Sequence, residues 1–170
     1  SCFVNDQLNA QVLKHLDKNK IKSIALRCAG FNNVDLDVAE KLSIQVFHVP
    51  DYSPTSVAEH AVALILSLNR KTHKAYHRVK EGNFSLEGLM GFNLSGKTVA
   101  CIGTGRIGLA FIQIMQGFGC HVICHDPYPN PALIKKGLHY KPLSQIYQEA
   151  DIISLHCPLN SDTQHLIDKD

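Results

Sequence analysis

The sequence predicts an α/β fold built on parallel sheet, and three observations carry that expectation. Short β-branched runs alternate with helical patterns along the chain: Cys2–Val4, Ser23–Leu26, Ile44–Val49, Thr98–Ile102, His121–Cys124 and Ile152–His156. The runs are near-continuously apolar, as strands are when crossover helices cover both faces of their sheet. One of them, Thr98–Ile102, opens directly into a glycine-rich turn and then a helical stretch, the setting in which α/β proteins hold phosphates.

Composition bounds the alternatives. The 170 residues suit one full domain or two incomplete ones, given about 100–200 residues per domain. With 45% hydrophobic and 19% charged residues the chain is globular rather than disordered. The formal net charge of +2 provides no field for a polyanion, so nucleic acid is not an expected partner. The longest apolar stretch, Ala61–Leu66, is far short of the ~20 residues of a membrane span. No basic segment with an apolar core opens the chain, so a signal peptide is not visible. The six cysteines (2, 28, 101, 120, 124 and 157) fit neither a zinc pair nor a small disulfide scaffold. Buried, reduced thiols and a cytoplasmic location are expected, with no metal site.

Along the chain, Asn5-Asp6 predicts the cap of a first helix with Leu8, Val12, Leu13 and Leu16 on one face. A second short helix is expected over Val34–Lys41. Ser53-Pro54 signals the start of a third, with Ser as N-cap and Pro at the first helical position. That helix is apolar almost all round from Val57 to Leu68, as one wedged between two packed bodies would be. It then turns basic through Arg70, Lys71, Lys74, Arg78 and Lys80, a solvated face in the simplest reading, and Gly82 ends it. Residues 82–95 carry loop punctuation, and a fresh βαβ pattern begins at Lys97. The expected organisation is one body over residues 1–51, an interdomain helix and loop over 52–95, and a second body over 96–170. Each body shows three strands, where open α/β sheets usually carry more.

The chemistry concentrates at Gly103-Thr104-Gly105-Arg106-Ile107-Gly108. In a dinucleotide fingerprint Gly103 permits the tight turn, Gly105 lets the backbone approach a pyrophosphate, and Gly108 permits close helix–strand packing. The next strand ends at Asp126, 23 residues beyond Gly103, where an acidic residue about 20 residues on binds the adenosine ribose. A carboxylate there repels a 2′-phosphate, so NAD is expected over NADP. Cys157-Pro158 ends an apolar strand, and either a strand stop or a cofactor contact fits that place. Arg27–Asn33 follows a strand in the same way and reads equally as a plain βα turn or a carboxylate-holding nest. None of the ten histidines has a metal-ligand or triad spacing; packing and hydrogen-bonding roles are expected for them.

Together these motifs resemble the D-2-hydroxyacid dehydrogenase family, and within it the D-lactate dehydrogenase branch. The resemblance covers essentially the whole chain. It rests on Leu26-Arg-Cys-Ala-Gly-Phe-Asn-Asn-Val-Asp-Leu36, Pro50-Asp-Tyr-Ser-Pro54 with Val57-Ala-Glu-His60, and Asn83-Phe-Ser-Leu-Glu-Gly88. Ile102–Gly108, Asp126-Pro-Tyr-Pro129 and Leu155-His-Cys-Pro-Leu159 complete it. The resemblance implies part of a Rossmann-type NAD-binding domain joined to part of a flavodoxin-like substrate domain. It implies that Arg106 and Ile107 contact the pyrophosphate, Asp126 the ribose, and Cys157 and Pro158 the cofactor. Ala29, Gly30 and the side chain of Tyr52 would face a small 2-keto or 2-hydroxy acid, and the full-length protein would be a homo-oligomer. Where the family usually places an Asn cofactor contact beyond the Cys-Pro pair, this chain has Thr163, so that contact is not carried over. The family's catalytic Arg, Glu and His lie C-terminal to Asp170, so no catalytic residue is expected here. The expectation is an internal fragment, inactive alone, of an enzyme reducing pyruvate with NADH. Alternatives are a dehydrogenase for glyoxylate, hydroxypyruvate or phosphoglycerate, or an NAD-sensing scaffold like the C-terminal-binding-protein corepressors.

Overall fold

The structure is a computed structural model that describes residues 1–50 and 52–168. These fall into two compact units, residues 1–53 and 54–170. Asp51, within the Pro50–Pro54 motif, lies outside the described residues.

In the first unit, α1 (Ala10–Lys18) precedes β1 (Ser23–Ala25), and α2 (Leu36–Lys41) precedes β2 (Gln45–Phe47). The two strands are parallel, with Ile24 opposite Val46. The expected strand Cys2–Val4 is reduced to a bridge in which Cys2 pairs with Leu26, because Asp6 Oδ2 takes the Phe3 N–H at 2.7 Å and turns the chain away. The cap of α1 is Asn9 rather than Asn5-Asp6: its side chain accepts from the N–H groups of Gln11 and Val12. Leu8 therefore lies outside the helix and bridges to Val34. Asp35 caps α2 by accepting from Val38 N–H. Leu8, Leu13, Ile24, Leu26, Val34, Ala39 and Ile44 form the core.

The second unit opens on α3 (Pro54–Arg70) and α4 (Thr72–Lys80), then β3 (Thr98–Ile102), α5 (Arg106–Gly117) and β4 (His121–His125). It continues through α6 (Pro131–Lys135), β5 (His139–Tyr140), α7 (Leu143–Glu149) and β6 (Ile152–Leu155). The sheet runs β5-β4-β3-β6, with all three pairings parallel. Its central strand explains the unbroken apolar pattern. Val99 and Cys101 join the core formed with α3 and α5, through Ala58, Val62, Phe111, Ile112 and Met115. Ala100 and Ile102 point to the other face, against Ile146 of α7. Both faces are covered, so no alternation survives in the sequence.

The single long helix expected to Gly82 is two helices. Lys71 adopts a left-handed backbone conformation, φ 51° and ψ 35°, and separates α3 from α4. The Lys71 side chain then donates to the carbonyls of Gly88 (2.7 Å) and Met90 (3.3 Å). Arg78 Nη1 donates to the carbonyls of Ser85 (3.1 Å) and Glu87 (2.6 Å). This part of the basic stretch is therefore not simply solvated; its cations hold the loop over 83–90 by the backbone. Asn69 closes the loop's far end, accepting from Phe92 N–H and donating to Phe92 C=O, both at 2.8 Å. The loop's apolar side chains face outward, with Phe84, Leu86 and Met90 at 76%, 81% and 88% exposure.

All six thiols are free. Burial pushes Cys101 and Cys124 well above the ordinary thiol value, Cys124 to about 12 with the Asp126 carboxylate adding to the effect. These thiols stay protonated at neutral pH and serve as packing.

A glycine turn and a carboxylate at the carboxyl edge of a parallel sheet

The sheet order places a topological switch at β3. One connection leaves β3 through α5 to β4 on one side, while the return through α7 sets β6 on the other. Open α/β sheets bind ligands in the crevice outside such a switch, beyond the carboxyl ends of the strands. The chain leaving β3 there is Gly103–Gly108, the chain leaving β4 is Asp126, and the chain leaving β6 is Cys157-Pro158. The eight residues singled out near a cofactor thus gather along one edge of one unit.

Each glycine of the turn sits differently. Gly103 has φ +94°, and a Cβ there would lie 2.7 Å from the Cys157 backbone nitrogen. Its N–H donates to His125 C=O at 2.8 Å, and His156 N–H donates to Ile102 C=O at 2.7 Å, which locks the turn between the neighbouring strands. Gly108 is tighter: a Cβ would lie 2.0 Å from the Gly103 carbonyl oxygen. Gly105 is the reverse case, because a Cβ there would meet nothing within 4 Å. It is the N-cap of α5 and provides no side-chain cap to that helix. The positive end of the helix dipole therefore faces open space over a residue with no side chain. Arg106 and Ile107, the first two residues of α5, are exposed and half-buried respectively.

Asp126 is anchored on both carboxylate oxygens. Oδ2 accepts from Thr104 N–H at 2.8 Å and from the Thr104 hydroxyl at 2.9 Å. Oδ1 accepts from Tyr128 N–H at 2.9 Å. Burial by itself would raise this carboxyl's pKa. The N–H groups of Thr104 and Tyr128, the Thr104 hydroxyl and neighbouring His125 outweigh it, and the group is held below the ordinary carboxylate value. A carboxylate offers about four acceptor positions; three are taken, so one remains, on Oδ1, for a ribose hydroxyl. The Thr104 hydroxyl is in turn approached by the Tyr140 hydroxyl at 2.9 Å. Neither Thr104 nor Tyr140 was marked by sequence reasoning. Thr104 occupies a variable place between two glycines, and Tyr140 lies on a two-residue strand too short to leave a pattern.

At the end of β6, Cys157 is half-buried and Pro158 exposed. Thr163 is committed to the turn that follows: its hydroxyl contacts Pro158 C=O at 2.5 Å and accepts from Asn160 N–H at 2.9 Å. That accounts for a Thr here without any ligand. His156 packs on Phe111 with ring centroids 4.8 Å apart and pairs with the Ser154 hydroxyl. Burial lowers the pKa of this half-buried histidine.

The residues singled out for substrate lie in the other unit. Ala29 and Gly30 follow β1, where Ala29 C=O contacts His48 Nδ1 at 2.8 Å and Cys28 Sγ lies 3.2 Å from Gly30 C=O. A Cβ on Gly30 would meet nothing within 4 Å. Gly30, Asn32 and Asn33 line an open depression of about 330 Å³ with Val4 and Gln7. Tyr52 is 72% exposed. No group of three or more His, Cys, Asp or Glu side chains that could hold a metal ion occurs among the described residues. No helix among them is long and apolar enough to cross a membrane.

Residues 62–170 match the family model of the D-isomer specific 2-hydroxyacid dehydrogenase NAD-binding domain. The chain belongs to that family. It is 50% identical over 167 residues to the D-lactate dehydrogenase of Escherichia coli, covering 98% of this chain and 51% of that protein. The apo-structure of D-lactate dehydrogenase from Escherichia coli superposes with a TM-score of 0.87 at 51% identity, over 97% of this chain and 52% of that one. The D-lactate dehydrogenase of Aquifex aeolicus, solved with NAD and lactic acid, gives a TM-score of 0.83 at 39% identity, over 95% of this chain and 48% of that one. The chain spans about half the length of the curated relatives it matches. The expected α/β fold and the NAD-binding assignment stand on this footing.

Proposed function

We propose that the whole protein is an NAD-dependent D-lactate dehydrogenase, reducing pyruvate to D-lactate, and that this chain carries its cofactor turn and part of its substrate pocket. The observation that carries this reading is the gathering of Gly103, Gly105 and Asp126 at the carboxyl edge of the sheet, with space left open over Gly105. The names of the relatives, D-lactate dehydrogenases in both organisms, support the substrate.

The residues present fit a dinucleotide. Gly105, Arg106 and Ile107 would hold the pyrophosphate at the start of α5, Asp126 the adenosine ribose, and Cys157-Pro158 the face toward the nicotinamide. When bound, the reduced cofactor supplies a hydride. The turn contributes binding and orientation: partial positive charge from the helix start, and a fixed carboxylate that selects a free 2′-hydroxyl. Ala29, Gly30 and Tyr52 would line the substrate side. Residues 1–51 would then belong to the substrate domain, 52–95 to the interdomain helix and loop, and 96–170 to the NAD-binding domain. The proposed enzyme is cytoplasmic and homo-oligomeric. The outward-facing Phe84, Leu86 and Met90, on a loop held in place by Lys71 and Arg78, support association with another surface.

The test is steady-state NADH oxidation by the full-length protein across pyruvate, glyoxylate, hydroxypyruvate and phosphohydroxypyruvate. Highest kcat/KM with pyruvate is expected. A higher value with another acid would reassign the substrate, and no turnover with any of them would favour an NAD-sensing scaffold. A Gly30→Val variant sharpens the test, because the backbone there has room for the side chain. Its KM for pyruvate should rise by about tenfold or more, with the Kd for NADH unchanged. Equal loss of NADH affinity would make the turn structural.

A further inference from the structure

The network behind Asp126 reaches further than a glycine turn requires. Tyr140 comes from β5, paired to β4 with Tyr140 opposite Cys124, two residues before Asp126. The chain on either side is fastened to the same strand, Lys141 N–H to Cys124 C=O at 2.8 Å and His125 Nδ1 to Lys141 C=O at 3.0 Å. The Tyr140 hydroxyl is thereby delivered to Thr104 Oγ1 at 2.9 Å, while the Thr104 hydroxyl stands 2.9 Å from Asp126 Oδ2. A threonine hydroxyl has one proton and two lone pairs. With Tyr140 donating into a lone pair, the Thr104 proton is directed at the carboxylate, and hydrogen bonds aligned in this way polarise one another.

Building on the NAD reading above, we propose that Tyr140 is a positioning residue for the adenosine ribose, acting through Thr104 on the carboxylate of Asp126. The relay pins Oδ2, and so turns Oδ1, which accepts only one bond, toward the ribose and holds the anion fixed where a 2′-phosphate would enter. It therefore tunes discrimination between NADH and NADPH without itself touching either. Thr104 is buried, and Tyr140 is partly buried against the core below it, so neither hydroxyl is a surface accessory.

The test uses the full-length enzyme with pyruvate and three hydride donors: NADH, NADPH and reduced nicotinamide mononucleotide, which has no adenosine half. Tyr140→Phe removes one oxygen. KM for NADH should rise about fivefold, the scale of one net hydrogen bond, with kcat unchanged and the NADH-to-NADPH ratio of kcat/KM narrowed. Use of the mononucleotide should not change, which a general loosening of the fold would not allow. Thr104→Ser, which keeps the hydroxyl, should behave as wild type, and Thr104→Val should reproduce the defect. Adding Tyr140→Phe to Thr104→Val should cost nothing more, because both act on one path. An unchanged KM for NADH in Tyr140→Phe, or an equal loss with the mononucleotide, overturns the proposal. Asp126→Ala separates the two levels of the argument. If it leaves the NADH-to-NADPH ratio unmoved, the ribose assignment itself fails; if it narrows the ratio while Tyr140→Phe does not, the relay alone fails.

Discussion

Replacing Gly108 by Ala is expected to cost both stability and cofactor binding, whereas the same change at Gly105 is expected to cost binding alone. Alanine normally improves a helix by about 1 kcal/mol over glycine, and Gly108 lies in the first turn of α5. Here the sign reverses. The added Cβ would sit 2.0 Å from the Gly103 carbonyl oxygen and 3.2 Å from Cys101 Sγ, and the first of these is backbone that a rotamer change cannot move. Overpacking of this kind costs about 1–3 kcal/mol. Melting should fall by roughly 2–10 °C on the scale of a domain this size. Moving Gly103 also disturbs the turn itself, so the Kd for NADH should rise by about a hundredfold, or some 2.7 kcal/mol. At Gly105 the Cβ enters open space and the fold has no objection to it. Its melting temperature should match wild type while NADH affinity drops about tenfold or more, because the methyl occupies the side from which a pyrophosphate approaches. Thermal melts and NADH fluorescence titrations on the two variants decide the matter. A Gly105→Ala protein that binds NADH normally would remove the pyrophosphate from that turn.

The contrast between those two glycines shows where sequence reasoning reached and where it stopped. The pattern Gly103–Gly108 after an apolar strand identifies the turn, because the chemistry needs glycine at fixed separations and a strand and helix on either side. Asp126 is legible for the same reason. The strands β3 and β4 are legible because burial on both faces leaves near-unbroken apolar runs, and the half-buried edge strand β6 because its β-branched Ile152-Ile153 pair follows a helical pattern. The break at Lys71 is not, since a lysine in the left-handed region has no distinguishing neighbour in sequence; what holds it is a pair of carbonyls 17 and 19 residues away. The cap at Asn9 is not legible because Asn5-Asp6 carries equally suitable side chains, and only the bridge of Leu8 to Val34 excludes Leu8 from the helix. The strand β5 and its Tyr140 are set by pairing to β4 rather than by local composition. In each case the deciding contact is remote in sequence, and local propensity is outweighed by it.

Removing the charge of Asp126 is expected to change which cofactor the enzyme prefers. The carboxylate is held ionised below its ordinary 3.8, the N–H and hydroxyl donors outweighing the effect of burial, so at any working pH it meets a ligand as an anion. To a ribose diol that anion is an acceptor worth about 1.5–3 kcal/mol, the range for hydrogen bonds to charged groups; to a 2′-phosphate it is a like charge at contact. Asp126→Ala and Asp126→Ser should therefore lower kcat/KM with NADH by about ten- to a hundredfold and raise it with NADPH. The same lowered pKa has a consequence for folding. A carboxyl whose folded pKa lies below its unfolded one contributes stability that is fully present above the unfolded value and is lost as pH falls through the folded one. Wild type should thus lose stability on acidification below about pH 4 by a component that Asp126→Ala lacks. Asp126→Asn removes the anion at nearly constant shape: its single amide oxygen can still accept from Thr104 at the Oδ2 position, at the cost of the bond that Oδ1 accepts from Tyr128 N–H. If Asn narrows the cofactor ratio as far as Ala does, with melting near wild type at pH 7, the discrimination is electrostatic. If Asn keeps the full preference for NADH, hydrogen bonding to the diol is sufficient and repulsion of the phosphate contributes little. Unchanged ratios in all three variants would take the ribose away from Asp126 altogether.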